Sequence, residues 1–122
     1  MNLGTIEYTR RAWRKAEKFY RAALAADPRY ALAHYNLGNL YDEMADRTRA
    51  LEHYQSALAI DPACADAHYN LALLYQATEQ PMKALQHWQA YLRIDPASSW
   101  AEVARRELAN LRRSTVLEGN RG

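Results

Sequence analysis

The 122-residue chain is poor in several residue types on which other classes of protein depend. A single cysteine, Cys64, excludes an internal disulfide and fits a reducing compartment. No run of about 18 apolar residues exists to span a membrane, and the N-terminus has no apolar signal core. Phenylalanine occurs once, so alanine and tyrosine dominate an apolar share of 49%. These features predict one soluble cytoplasmic domain.

Charge is nearly balanced overall, with a net value of +2, but it is unevenly distributed. Residues 1–29 hold seven basic and three acidic side chains, residues 30–98 hold four and eight, and residues 99–122 hold five and three. Basic ends therefore flank an acidic middle. Nucleic-acid binding through these ends is one alternative, but no base-reading motif accompanies them. The charged outer face of a helix is the simpler explanation.

What the chain does contain is a 34-residue internal repeat. Residues 31–62 read ALAHYNLGNLYDEMADRTRALEHYQSALAIDP, and residues 65–96 read ADAHYNLALLYQATEQPMKALQHWQAYLRIDP. Both stretches share HYNL near the start and end on Asp-Pro, and Asp27-Pro28 matches that pair one period earlier. A fixed period of this length over three copies indicates stacked helical repeats.

The repeat resembles the tetratricopeptide repeat, which has an aromatic residue, Leu-Gly, Tyr, Ala, an aromatic residue, Ala and Pro at set offsets. The complete unit offers His34, Leu37, Gly38, Tyr41, Ala50, Tyr54, Ala57 and Pro62 at those offsets. The resemblance implies an all-α, right-handed α-solenoid of three antiparallel helix pairs plus a C-terminal capping helix. The expected segments are repeats over 1–30 (first turn missing), 31–64 and 65–98, a capping helix over 99–113 and a flexible tail over 114–122.

Individual residues are expected to set helix ends and helix contacts in this arrangement. Gly38 lies in mid-helix, where it is unfavourable unless it lets two helices touch. Asp46 is expected to cap the second helix of its pair, and Pro81 suits the first turn of another. Ser98 is expected to begin the capping helix, whose buried face is predicted to contain Trp100, Ala104, Leu108 and Leu111.

The first repeat lacks the four residues that should open it, so the chain is either a naturally short array or part of a longer one. Residues 11–26 are predicted to form a partner helix with an apolar face and a basic face. A hairpin with residues 1–10 is expected. Because Thr5 to Ala26 contains neither glycine nor proline, the alternative is one long helix that exchanges its first part with a second chain. Either way, a weak homodimer through this end is predicted.

The last repeat and the segment after it, HWQAYLRIDPASSWAEVARREL, are similar to the terminal unit of bacterial tetratricopeptide proteins. Some of those proteins carry a MerR-like helix-turn-helix domain upstream. No such DNA-binding segment occurs in these 122 residues.

No constellation of residues favours catalysis, and no metal or cofactor is expected. Equivalent positions in neighbouring repeats lie too far apart to share an ion with bonds near 2.0–2.1 Å. The four histidines occupy two such positions, each seen twice: His34, His68, His53 and His87. Cys64 has His68 four positions further on, but the sequence supplies no group to orient that base, as a catalytic thiol requires. The sequence therefore predicts that the protein is no enzyme.

The resemblance places a peptide-binding groove on the first helices of the pairs. The matching positions are Thr5, Tyr8, Leu32, Tyr35, Asn36, Asn39, Asp42, Glu43, Asp66, Tyr69, Asn70, Leu73 and Gln76. Asparagine offers both a donor and an acceptor, and tyrosine offers a flat apolar face. The expected function is protein–protein interaction with an extended peptide or a partner helix. The alternatives are a structural self-assembly or tethering role, or consensus residues with no evolved ligand.

The expected partner is neutral or basic. A subset of the family grips a peptide's C-terminal carboxylate with Lys and Arg on the third unit's first helix. Those positions here hold Asp66 and Asn70, so the resemblance implies no carboxylate clamp.

Overall fold

The structure is a computed structural model that describes the backbone of residues 3–121 and the side chains of residues 10–114. The described backbone forms six helices and no strand: α1 (Leu3–Ala26), α2 (Ala31–Glu43), α3 (Arg47–Ile60), α4 (Ala65–Ala77), α5 (Pro81–Ile94) and α6 (Ser99–Arg121). They fall into two compact units, Met1–Pro62 and Ala63–Gly122. The predicted all-α helical repeat fold is confirmed. None of the helices in the described part of the chain has the length and apolar character needed to cross a bilayer.

Helix α1 is one continuous helix of 24 residues, so the predicted hairpin, and with it the first of three helix pairs, is wrong. The physical reason lies in the composition of the segment: strong helix formers fill residues 10–26, and no glycine or proline interrupts them. The helix ends at Ala26, directly before Asp27-Pro28. This end is expected, because a proline disfavours the α-helical conformation of the residue before it.

The two predicted faces of α1 are present. The predicted apolar face is half-buried, and it consists of Trp13, Ala16, Tyr20, Ala23 and Leu24. The basic residues between Arg10 and Arg21 are exposed. The contact with α2 is polar: the Tyr41 hydroxyl donates to Glu17 over 2.8 Å, and Arg21 donates to the same hydroxyl. Arg21 also donates through Nε to Glu17 over 3.0 Å. The hydrogen bond from Tyr41, and next the one from Arg21 to the same carboxylate, lower the pKa of Glu17.

Helices α2 and α3 form the first helix pair. Ala33, Leu37 and Tyr41 of α2 are buried, together with Ala50 and other small or aromatic residues of α3. The pair is joined by a short turn in which Ala45 has a positive φ of 62°. Asp46 caps α3 by accepting from the backbone N–H of Arg49 at 3.2 Å, which confirms the predicted cap.

Gly38 allows close packing within this pair. A Cβ atom placed there would lie 2.6 Å from two ring carbons of Tyr54, which is itself fully buried. The prediction that a residue without a side chain lets the helices touch is therefore confirmed.

Helices α4 and α5 form the second pair, 34 residues further on. Pro81 occupies the first turn of α5 as predicted, and Glu79 in the preceding turn has a positive φ of 58°. The Trp88 ring is fully buried. Its Nε1–H donates to the side-chain oxygen of Gln76 over 2.8 Å, which ties α5 to α4.

Helix α6 starts after Ser98, whose hydroxyl accepts from the N–H of Ala101 at 3.3 Å. Ala104, Leu108 and Leu111 are buried as predicted, but Ala101 rather than Trp100 completes their face. Trp100 is 61% exposed, so its predicted place in the core is wrong. The helix also runs to Arg121, because neither proline nor glycine occurs between Ser99 and Glu118. The boundary predicted at residue 113 was too early.

Candidate functional site

The predicted binding residues of the first unit lie on one side of α2, because their three- and four-residue spacing follows the helical turn. We call this set the α2 face: Leu32, Tyr35, Asn36, Asn39, Asp42 and Glu43. The opposite side of the helix packs against α3. Leu32 is 53% exposed, Asp42 is exposed, and Tyr35 and Asn36 are half-buried.

Asn39 and Glu43 of the α2 face accept hydrogen bonds from other helices of the unit. The Asn39 side-chain oxygen accepts from the Tyr54 hydroxyl over 2.6 Å, joining α2 to α3. Glu43 accepts from the indole N–H of Trp13 over 3.2 Å, joining α2 to α1. Both residues therefore position helices, which their place in the repeat pattern did not reveal.

The second unit repeats the arrangement on α4. The α4 face comprises Asp66, Tyr69, Asn70, Leu73 and Gln76. Leu73 is 44% exposed, Asp66 is also exposed, and the other three are half-buried. Both polar atoms of the Gln76 amide form hydrogen bonds. The oxygen accepts from Trp88, and the nitrogen donates to Glu107 of α6 over 3.1 Å.

The remaining predicted binding residues, Thr5 and Tyr8, lie outside the residues whose side chains the structure describes.

Tyr69 is the centre of an aromatic cluster in the second unit. Its ring centroid lies 5.0 Å from Trp88, 5.4 Å from Tyr91 and 5.6 Å from Trp100, each pair meeting edge to face. Edge-to-face contacts at these distances are favourable and fix ring orientation. The α2 face has a simpler counterpart, a tilted contact between Tyr35 and Tyr54 at 6.0 Å.

Carboxylates accompany this cluster. Asp95 accepts from the Tyr91 hydroxyl at 2.8 Å and from Ser98 at 2.6 Å. The hydrogen bonds from Ser98 and then Tyr91 lower the pKa of Asp95, which is therefore ionised at neutral pH. Burial, followed by the charge of Glu107, raises the pKa of Tyr69, so its phenol stays neutral.

The structure also contains two histidine pairs that the sequence interpretation missed. His34 and His53 approach within 3.2 Å through their Nδ1 atoms, and His68 and His87 do so within 3.0 Å. Each pair joins the two helices of one helix pair. A 19-residue spacing between histidines recurs in both repeats and could have predicted these pairs. The 34-residue spacing relates equivalent histidines and does not.

Hydrogen bonding fixes the proton positions in the first histidine pair. The Pro28 carbonyl can only accept, so the Nε2 atom of His34, 3.2 Å away, carries its proton. The Nδ1 atom of His34 must then accept from the Nδ1–H of His53. Burial, and next the neighbouring His34, lower the pKa of His53. Among residues 10–114, no three His, Cys, Asp or Glu side chains are grouped so that they could hold a metal ion.

Two protein-family models match parts of the chain. A TPR repeat family model matches residues 48–78, and a tetratricopeptide repeat family model matches residues 19–52. No curated protein sequence matches the chain significantly.

Solved structures of the same fold include the first TPR of Spaghetti (RPAP3) bound to the HSP90 peptide SRMEEVD. It has a TM-score of 0.75 and 17% identity, over 93% of this chain and 89% of that one. A tetratricopeptide repeat protein from Parabacteroides merdae has a TM-score of 0.75 and 27% sequence identity, over 93% of this chain and 44% of that one. The MamA protein has a TM-score of 0.75 and 22% sequence identity, over 88% of this chain and 57% of that one.

The family matches and these structures together support the tetratricopeptide repeat family, whose fold serves protein–protein interaction. The chain spans about half of the MamA and Parabacteroides chains that it matches. The matches do not bear on the association with a MerR-like domain, which stays a prediction.

Proposed function

We propose that this protein is a binding module without catalytic activity, in which the α2 face and the α4 face each bind an extended peptide segment of a partner protein. The observation that carries the proposal is the division of each first helix into two sides. Leu37 and Leu71 on the packed sides are fully buried. On the other sides, the Tyr35-Asn36 and Tyr69-Asn70 pairs are only half-buried.

These half-buried pairs have the chemistry that peptide binding needs. An asparagine amide can accept from and donate to the backbone of an extended segment, and a tyrosine ring adds contact area at low cost in side-chain entropy. Exposed Leu32 and Leu73 place apolar surface beside these polar groups. An interface of this kind combines apolar anchors with a polar rim.

Charge decides the kind of partner. The α2 face carries Asp42 and Glu43 and the α4 face carries Asp66, while neither set contains a lysine or arginine. The peptide SRMEEVD, bound to the RPAP3 domain, has three acidic residues. On this protein such a peptide would meet acidic groups, so we expect neutral or basic segments, with affinity that falls as salt rises.

The experiment is a peptide-display selection followed by binding measurements on the selected sequences. Changing Leu32 and Leu73 together to glutamine removes apolar surface from both faces without altering a buried side chain or the net charge. We expect the double variant to bind the selected peptides at least about tenfold more weakly, because apolar contact is lost.

The matched control is Met82→Gln, which removes an apolar side chain of α5 that is 58% exposed. Binding by this variant should equal that of wild type. Selection of acidic peptides alone, or equal losses in the control and the double variant, would contradict the proposal.

Self-association through α1 is a second candidate function, favoured by one observation. Phe19 of α1 is 70% exposed, and its ring lies edge to face against Tyr20 at 5.7 Å. A second copy of α1 would cover this apolar site. The basic residues of α1 oppose such pairing, so association should strengthen with salt.

Light scattering after chromatography at low and high salt tests this second candidate. We expect a weak dimer that is more populated at high salt and lost in Phe19→Glu. Met82→Glu is the control, because it introduces the same charge at an exposed apolar residue of α5. A strict monomer at high protein concentration in both salts would refute it.

A further inference from the structure

The exposed indole of Trp100 is the most prominent unexplained feature of the second unit. Tryptophan is rarely left on a surface without a partner, and it is among the residues most often found as binding hot spots. Sequence periodicity would bury it, yet Ala101 takes the buried position and leaves the Trp100 ring 61% exposed.

The ring is held in place although it is exposed. One edge meets Tyr69 at 5.6 Å, and Tyr69 is itself fixed by the buried rings of Trp88 and Tyr91. A ligand that stacks on Trp100 therefore meets a surface whose aromatic rings are already oriented, and it loses little affinity to ordering them.

Negative charge surrounds the same rings. Asp66 lies one turn before Tyr69 on α4, and its charge reaches Tyr91. Asp95, ionised at neutral pH, binds the Tyr91 hydroxyl. Glu107 acts on Tyr69, and Arg106 opposes it. Arg105 donates to the carbonyl of Pro96, next to Asp95. Three carboxylates and two guanidinium groups leave this region net negative by one charge.

We propose that Trp100 and Tyr69, held in place by the buried Tyr91, form with Asp66 and Asp95 an aromatic corner that binds an arginine side chain of the partner peptide. A guanidinium stacks on aromatic faces and also pairs with carboxylates. Trp100 supplies the exposed face and Asp66 an exposed carboxylate on the α4 face. This inference rests on the proposed peptide-binding function and adds the side chain that the peptide must carry.

The test uses peptides obtained by display selection on the wild-type protein. Selected sequences should be enriched in arginine at one position. Replacing that arginine by citrulline, which keeps the shape and removes the charge, should weaken binding about tenfold. Trp100→Ala should weaken binding of the arginine peptide by a similar factor and should abolish the difference between the two peptides.

Two further variants distinguish the effect of the Asp66 charge on arginine binding from a general loss of structure. Asp66→Asn should reduce the preference for arginine over citrulline, whereas Glu79→Gln, an exposed carboxylate in the turn before α5, should leave it unchanged. Thermal unfolding of each variant checks that the fold is intact. Equal binding of the arginine and citrulline peptides, or a Trp100→Ala variant that still discriminates between them, would overturn the proposal.

These outcomes are distinct from failure of the proposed function. If peptides bind and Leu73→Gln weakens their binding, but arginine is not preferred, only the aromatic corner is refuted. If no peptide binds above background, or Leu73→Gln has no effect, the α4 face itself is not the binding surface.

Discussion

The helix pairs α2–α3 and α4–α5 occupy the same 34-residue frame but lock their helices together differently. In the first pair, Gly38 makes room for the Tyr54 ring, and the Tyr54 hydroxyl reaches Asn39. In the second pair, Ala72 replaces Gly38, and the aromatic residue is Trp88, which donates to Gln76. The hydrogen-bond partner has moved by three residues, almost one turn along the first helix.

The difference shows which features the repeat requires. An aromatic ring buried between the two helices is present in both pairs, and so is a hydrogen bond from its polar atom to an amide side chain of the first helix. The identity of the ring and the position of the amide vary together, because the indole N–H and the phenol O–H point to different places. Asn39 and Gln76 thus serve the same purpose from different repeat positions.

The histidine pair, in contrast, is the same in both. His53 and His87 each stack on a tyrosine of the first helix, Tyr41 at 5.4 Å and Tyr75 at 5.5 Å. Each also meets the Nδ1 atom of the histidine 19 residues before it. Comparison of the two pairs therefore separates a variable aromatic contact from a constant histidine contact.

Removal of the buried aromatic ring should have the largest effect on stability. Trp88→Ala is expected to lower the free energy of unfolding by about 3–5 kcal/mol, through lost apolar burial and the cavity left behind. Tyr54→Ala should cost somewhat less, because its ring is smaller. Urea denaturation followed by circular dichroism measures both.

Trp100→Ala is the matched control for Trp88→Ala, since it removes the same side chain from an exposed position. Its cost should stay within about 1 kcal/mol. A loss as large as that of Trp88→Ala would mean that Trp100 belongs to the core and would contradict the difference in burial.

The repeat pattern alone was enough to predict the helix pairs and several of their details. Asp46, Pro81 and Gly38 act through local backbone chemistry or a fixed frame position, so their roles follow from sequence. The continuous course of α1 did not follow in the same way. Two weak tendencies compete between residues 10 and 13: repeat spacing calls for a turn, and helix propensity opposes it, with no glycine or proline to decide.

Tertiary packing decided the remaining features. On α6, apolar residues at both 100 and 101 allow two buried faces that differ by about 100° of rotation, and the small Ala101 fits against the preceding helices where Trp100 does not. The histidine pairs and the amide contacts of Asn39 and Gln76 depend on which residues face each other across a helix pair. Repeat spacing gives that register only to within about one turn.

Lowering the pH tests the histidine contact that both helix pairs share. Burial and the neighbouring His68 lower the pKa of His87 to about 4, and the pKa of His53 is lowered for the same reasons. An unfolded histidine titrates near pH 6.5. The unfolded state therefore binds more protons at pH values between about 6.5 and 4, and stability is lost as pH falls through that window.

The expected loss of unfolding free energy between pH 7 and pH 5 is about 1–2 kcal/mol, a value kept modest because both rings are only half-buried and partly screened by water. Denaturation at a series of pH values measures it. The variant His53→Asn/His87→Asn should show a flatter dependence over the same range. An equally steep dependence in the variant would assign the effect to other groups.

The smallest predicted effect on stability is that of Gly38→Ala, at the position where the two helix pairs differ most clearly. The sign of the change in unfolding free energy is the informative result. Gly38→Ala gains helix propensity worth about 1 kcal/mol. It also places a Cβ atom 2.6 Å from the Tyr54 ring, which is fully buried and hydrogen-bonded to Asn39. Overpacking a core position of this kind costs about 1–3 kcal/mol, so we expect a net destabilisation of about 1 kcal/mol in urea denaturation.

A double-mutant cycle shows whether the Tyr54 ring is the cause. In a Tyr54→Ala background the obstructing atoms are absent, and Gly38→Ala should then stabilise by up to about 1 kcal/mol, through propensity alone. In the second pair, Ala72→Gly should destabilise, because Ala72 is fully buried and glycine has the lower helix propensity. If Gly38→Ala were stabilising in the wild-type background, the Tyr54 ring would have room to move, and the glycine would not be required for contact between α2 and α3.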